Sequence, residues 1–118
     1  MKALLLNAEQ KIASVQNIPS PIPEPQEVLV QVHAVALNPV DALYVFQPLG
    51  LTGRVVGSDF AGTIVAFGDA VPVDCGLQLG SRVAGFCQGA CSVNDRPGAF
   101  AEFLVCPSDT GAVCFSLM

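Results

Sequence analysis

Few side chains in this sequence could do chemistry, and most of them cluster around one turn. Asn38-Pro39-Val40-Asp41 follows a long apolar run. Pro39 forces Asn38 out of the helical region and presets the first turn of a helix, where Asp41 can bond nearby backbone donors. Tyr44, the only tyrosine, lies just beyond and is a candidate proton donor, with packing or surface placement as its alternative. His33, the only histidine, has no carboxylate at a helpful spacing and reads as a rim residue. Of the five cysteines, Cys87 and Cys91 are four apart, but no second pair stands near them. Buried or incidental thiols are therefore expected in preference to a metal site. No Ser/His/Asp arrangement, phosphate-binding Walker loop or paired-carboxylate pattern is present. Gly50, Gly53 and Gly57 do not match Gly-x-Gly-x-x-Gly, and they precede a strand where a dinucleotide fingerprint must follow one.

Composition narrows the classes further. The 118 residues make one domain by length, large enough to hide roughly two-thirds of the unfolded surface. Five basic residues against ten acidic ones leave a net charge of −5, with no basic run to neutralise phosphates. Nucleic-acid binding is thus not expected. No apolar run reaches about 18 residues, and the N-terminus lacks a secretory pattern. The expectation is a cytoplasmic protein with reduced thiols and no membrane association.

The elements that must position these residues are short strands. Lys2–Leu6 and Lys11–Gln16 read as a hairpin about a polar turn. Ile18–Gln26 carries four prolines and reads as an extended connector unable to join a sheet. Glu27–Leu37 is the strongest strand, with Val28, Val30, Val32 and Ala34 on one apolar face. Pro39–Phe46 alone looks helical. Ser58–Phe67, Arg82–Phe86 and Phe100–Cys106 read as further strands, and Gly62 marks a bulge or a close backbone approach. Many short strands with glycine and proline punctuation predict a mainly β barrel or sandwich.

Four segments agree in order and spacing with one family. Asn38-Pro39-Val40-Asp41, Gly57-Ser58-Asp59-Phe60-Ala61-Gly62, Gly80-Ser81-Arg82-Val83-Ala84-Gly85 and Pro97-Gly98-Ala99-Phe100-Ala101-Glu102-Phe103 resemble the substrate-side domain of the medium-chain dehydrogenase/reductase superfamily, a GroES-like β-barrel with short helical segments. In the zinc-dependent members a cysteine stands at the place of Asn38 and a Gly-His-Glu segment at the place of Gly57-Ser58-Asp59. The residues here lack both donors, so the resemblance is to zinc-independent members and implies no catalytic zinc. Ala36-Leu37-Asn38-Pro39-Val40-Asp41 with Asp59-Phe60-Ala61-Gly62, and Arg96–Phe103 after a loop containing Gly89 and Asn94, resemble the fungal trans-acting enoyl reductases of secondary metabolism.

That resemblance implies NADPH-dependent reduction of the α,β-double bond of a carrier-bound chain, with a polyketide synthase or hybrid polyketide–peptide synthetase as partner. It implies that Asn38, Val40, Asp41, Ala42 and Leu43 touch the cofactor or substrate at the domain cleft. It leaves the proton donor unassigned. It covers residues 1–108 as the GroES-like domain, with 109–118 a divergent tail and no following Rossmann domain. The expectation is a truncated oxidoreductase, inactive alone, with an exposed cleft face around Leu43, Val45 and Phe46. A barrel that docks a synthase without catalysis, or a fragment of a zinc-free quinone oxidoreductase, are the alternative readings.

Overall fold

The computed structural model describes residues 1–91 and 96–109 in full and the backbone of residues 114–116. Its elements run β1 (Lys2–Asn7), β2 (Ile12–Asn17), β3 (Glu27–Ala36), α1 (Pro39–Phe46), β4 (Asp59–Phe67), β5 (Arg82–Phe86), β6 (Phe103–Pro107) and β7 (Cys114–Ser116). β1 and β2 form an antiparallel hairpin, and the other strands form one antiparallel sheet in the order β6-β3-β4-β5-β7. The expected mainly β architecture, with one short helix, is what the chain adopts.

The proline segment behaves as the composition dictates. Residues 18–24 belong to no ladder, and the segment is tied at its ends, where Ile18 N–H donates to Met1 O (2.9 Å) and Glu27 N–H to Glu24 O (2.9 Å). β1 is held on its outer side by irregular chain rather than by a strand. Leu4 N–H donates to Phe100 O (2.8 Å), Glu102 N–H to Lys2 O (3.0 Å) and Leu6 N–H to Arg54 O (2.8 Å). Those bonds explain why β6 begins at Phe103 and not at Phe100, as the residue pattern suggests. Residues 100–102 turn aside to satisfy β1.

β3 is the centre of the sheet. Val28 and Val30 are fully buried and pack with Phe60, Ile64, Val83 and Leu104 in the main core. The alternation predicted for this strand holds to Val32 and then fails, leaving Ala34, Val35 and Ala36 exposed. A register shift falls here, since Val32 pairs with Gly62 and Ala34 with Ala61 and His33 is an extra residue, and β6 no longer pairs with this end of the strand. Gly62 meets the expectation of close approach, since a Cβ there would strike the Gln31 carbonyl oxygen and stand 2.8 Å from Val30 Cγ1.

The tail adds something its residues did not suggest. β7 pairs antiparallel with β5 through Val83↔Ser116, Ala84↔Phe115 and Gly85↔Cys114. The remaining tail positions, 110–113 and 117–118, and loop residues 92–95, with the singled-out Asn94, lie outside the described residues.

Two outcomes follow from this packing. Gly62→Ala forces a methyl group against the Gln31 backbone at the centre of the sheet and should cost about 2 kcal/mol or more, read as a lower urea midpoint. Exposed Val35, Leu37, Leu43 and Phe46 lie on or just beyond the end of β3 and along α1, and should make the isolated chain self-associate at micromolar concentration. Sedimentation velocity checks this, and a monodisperse, cooperatively melting monomer is the contrary result.

Candidate functional site

The site forms where β3 ends and α1 begins. Asn38 is the N-cap, extended at φ −120° and ψ 151°, and Pro39 opens the helix as the sequence predicts. Asp41 N–H donates to Asn38 O (3.0 Å), and Asn38 N–H donates back to Asp41 Oδ2 (2.9 Å). Reciprocal bonds of this kind fix the entry of the chain into a helix.

Strand β4 begins directly against this turn. Ser58 Oγ donates to Asp41 Oδ1 (2.6 Å), and Asn38 Nδ2 donates to Asp59 Oδ2 (2.9 Å). The two segments singled out in the sequence, 38–41 and 57–62, are thus brought together. The role of Ser58 in joining them was not legible in advance, because the serine and Asp41 are 17 residues apart. Only the proximity of two short polar motifs in one family pattern hinted at it.

The five residues expected at a cofactor differ sharply in exposure. Asp41 is 7% exposed, with both carboxylate oxygens engaged by the donors just named. Asn38 and Val40 are half-buried, while Ala42 is exposed and Leu43 is 47% exposed. Leu37 and Phe46, 84% and 64% exposed, extend the apolar surface to either end of the helix. Val45, expected to be bare, is half-buried against Leu6, Val56 and Ala90. Beside the turn lies a largely apolar groove of about 510 Å³ lined by Val15, Val32, Val35, Leu37 and Phe100, among others. A hollow of about 650 Å³ lies at the opposite end of β3, where Glu27 accepts from Arg96 (2.9 Å) and from Glu24 N–H (3.1 Å). There the Glu27 carboxylate ties the connector and the 96–98 segment to the sheet.

His33 is exposed at the bulge, its Nε2 3.0 Å from Thr63 Oγ1. Tyr44 is half-buried and hydrogen-bonded to Cys91. The ionised sulfur of Cys91 would repel a phenolate, and the hydrogen bond and burial act in the same sense. The Tyr44 phenol is therefore held above its ordinary value of 10.0. Cys91 and Cys106 are buried and Cys75 and Cys87 half-buried, none of them in a disulfide. Among the described residues, no group of three or more His, Cys, Asp or Glu side chains could hold a metal ion, and no helix is long and apolar enough to cross a membrane.

What could this surface hold? Its exposed groups are hydrocarbon, suited to the face of a flat ring. No basic residue lies in the last turn of α1, and Gly57, at φ +106°, has its Cα closed off by the Phe100 ring. Of the glycines ahead of β4, Gly53 and Gly57 serve turns at positive φ, and Gly57 also a close approach.

A sequence profile of the family described as "Alcohol dehydrogenase GroES-like domain" matches residues 24–115. The trans-enoyl reductase milB of Cordyceps militaris is 45% identical over 106 residues, covering 89% of this chain and 29% of its own. The trans-enoyl reductase traG of Penicillium crustosum is 41% identical over 108 residues, covering 91% and 29%. The chain thus spans about 29% of the length of these relatives. Among solved structures, a putative NADPH:quinone reductase from Mesorhizobium loti superposes with a TM-score of 0.74 at 30% identity, covering 100% of this chain and 36% of the other. The alcohol dehydrogenase TADH from Thermus sp. ATN1 superposes with a TM-score of 0.79 at 23% identity, covering 100% and 40%, a likeness of fold.

With a single tyrosine in the chain, an ultraviolet titration reads Tyr44 alone. Its midpoint should lie above 10.0 in the folded protein and fall toward that value in Cys91→Ala. The native state holds this proton more tightly than the unfolded chain does. The associated stability is complete below the unfolded value and is lost as pH rises through the folded one. A midpoint unchanged by Cys91→Ala would contradict the assignment.

Proposed function

The chain belongs to the alcohol dehydrogenase GroES-like domain family, and from that premise we propose that it is the substrate-side barrel of an NADPH-dependent trans-acting enoyl reductase. The observation that carries this reading is the 45% identity, across 89% of the chain, with the trans-enoyl reductase of Cordyceps militaris. The apolar face of α1 supports it. The partner would be a polyketide synthase or hybrid synthetase presenting an α,β-unsaturated thioester on a carrier.

When bound, the cofactor supplies the hydride for the β-carbon of the double bond. The residues of this chain orient and exclude water. Asn38, Val40, Asp41, Ala42 and Leu43 form the segment beside the nicotinamide: Ala42 and Leu43 offer hydrocarbon to the ring, while Asn38 and Asp41 hold the turn that carries them. Holding reactants in register contributes to rate without any acid or base on this side of the cleft. The α-carbon must also gain a proton. Tyr44 stays protonated at neutral pH, but its hydroxyl is engaged with Cys91, so the donor is not assigned to it.

No Gly-x-Gly-x-x-Gly loop opens a helix among the described residues, so this reading assigns the cofactor's phosphates to none of them. A second reading, the barrel of a zinc-free quinone oxidoreductase, is favoured by the 30% identity with the Mesorhizobium loti structure. A third is a barrel that docks a synthase and does no chemistry. Substrate choice separates these readings.

The test is a chimera in which this chain replaces the corresponding part of a trans-enoyl reductase relative. It should consume NADPH with an enoyl-pantetheine thioester and ignore simple quinones. Leu43→Asp, which sets a charge against the ring, should lower kcat/KM at least about tenfold with the fold intact. A folded chimera that reduces quinones alone, or binds synthase without reducing anything, would overturn the reading.

A further inference from the structure

We infer that Asp41 and Ser58 are positioning residues, and that the hydrogen bond between them sets where α1 presents Ala42 and Leu43 to the cofactor. The inference rests on the reading above, which makes this helix the cofactor-facing one. It differs from that reading in giving Asp41 a role from beneath the surface and in adding Ser58.

The argument begins with what α1 lacks. Eight residues are too few for a helix to persist in water on its own. Tertiary anchorage must hold it, and such anchorage is normally apolar. Here the only buried residue of the helix is Asp41. Half-buried Val45 supplies an apolar contact in the last turn, and Tyr44 reaches Cys91. The first turn, where Val40, Asp41 and Ala42 stand, is attached by polar bonds.

Those bonds cross in both directions. The hydroxyl of Ser58, on the strand side, donates to the helix carboxylate at 2.6 Å. The amide of Asn38, on the helix side, donates to the strand carboxylate of Asp59 at 2.9 Å. Each joins a neutral donor to a carboxylate acceptor, the stronger kind of hydrogen bond. With Oδ2 also engaged by Asn38 N–H, the Asp41 carboxylate faces inward. Its work is to fix distance and tilt.

Three variants separate positioning from general stability. Ser58→Ala removes the hydroxyl, Ser58→Thr keeps it, and Asp41→Ala removes the carboxylate. Amide hydrogen exchange should rise about tenfold or more across residues 39–46 in Ser58→Ala and in Asp41→Ala. It should change less than about twofold at Ile64 in β4, and Ser58→Thr should restore the helix. Titration with reduced nicotinamide mononucleotide should perturb the Ala42 and Leu43 amides of the native chain. The apparent affinity should drop about fivefold or more in Ser58→Ala and return in Ser58→Thr.

If the mononucleotide perturbs the native chain and Ser58→Ala binds it equally well, the inference is overturned. A native chain that the mononucleotide leaves unperturbed sinks the cofactor-facing reading instead, and exchange then judges the brace alone. Exchange in α1 that is the same in Ser58→Ala and the native chain overturns it. Should Ser58→Ala lose the fold, Asn38→Ser, which deletes only the amide bond to Asp59, carries the same measurement. Unchanged exchange in that variant counts equally against the brace.

Discussion

The structure depends on β3 being paired along both edges. Glu27–Gln31 bonds β6 on one side, while Val28–Ala36 bonds β4 on the other. A strand so placed satisfies its backbone groups within the sheet, and its inward side chains Val28 and Val30 are wholly buried against Phe60, Ile64, Val83 and Leu104. β6 leaves after Gln31 because its preceding residues must serve β1. Beyond Val32, whose N–H still donates to Glu102 O (2.9 Å), β3 keeps only β4 as a partner, its side chains come out into solvent, and the chain is free to turn. The turn at Asn38 and the groove beside it are consequences of one strand outrunning its neighbour.

The site inherits its character from that ending. A helix raised at the free end of a central strand has little core beneath it, so its first turn is fastened with hydrogen bonds rather than packed. Carboxylates and a hydroxyl then occupy the inner surface, and hydrocarbon is left facing outward. In the first turn this reverses the usual amphipathic helix, with its apolar stripe inward, while Val45 keeps the usual sense in the last turn. A surface of that kind asks to be covered, and relatives more than three times as long have the chain to cover it.

Much of the scaffold was legible from local pattern. The bounds of α1 and β5 agree with the residues that suggested them, β1, β3 and β4 differ from theirs by a residue at one end, and β2 is shifted by one residue. Proline and valine impose strong local preferences, and those preferences agree with the fold. The misses share a cause. Ala34 does not continue the apolar face of β3, because a bulge at His33 breaks the alternation and β6 no longer pairs with that end of the strand. Phe100 does not begin β6, because β1 competes for its carbonyl. Cys114–Ser116 looked like featureless tail, yet β5 had an edge to offer it.

By itself, then, the sequence determined that this is a β-rich barrel with one short helix opened by Asn38 and Pro39, and it placed the chain in its family. Those properties follow from dihedral preference, alternation and motif order, all of which act over a few residues. Tertiary structure alone decided that Asp41 is buried beneath the surface it was expected to form. It also decided that Ser58 holds it there, and that Leu37, Leu43 and Phe46 remain outside. The direction in which a carboxylate points depends on donors that the chain brings from 17 residues away, and no local preference encodes that meeting.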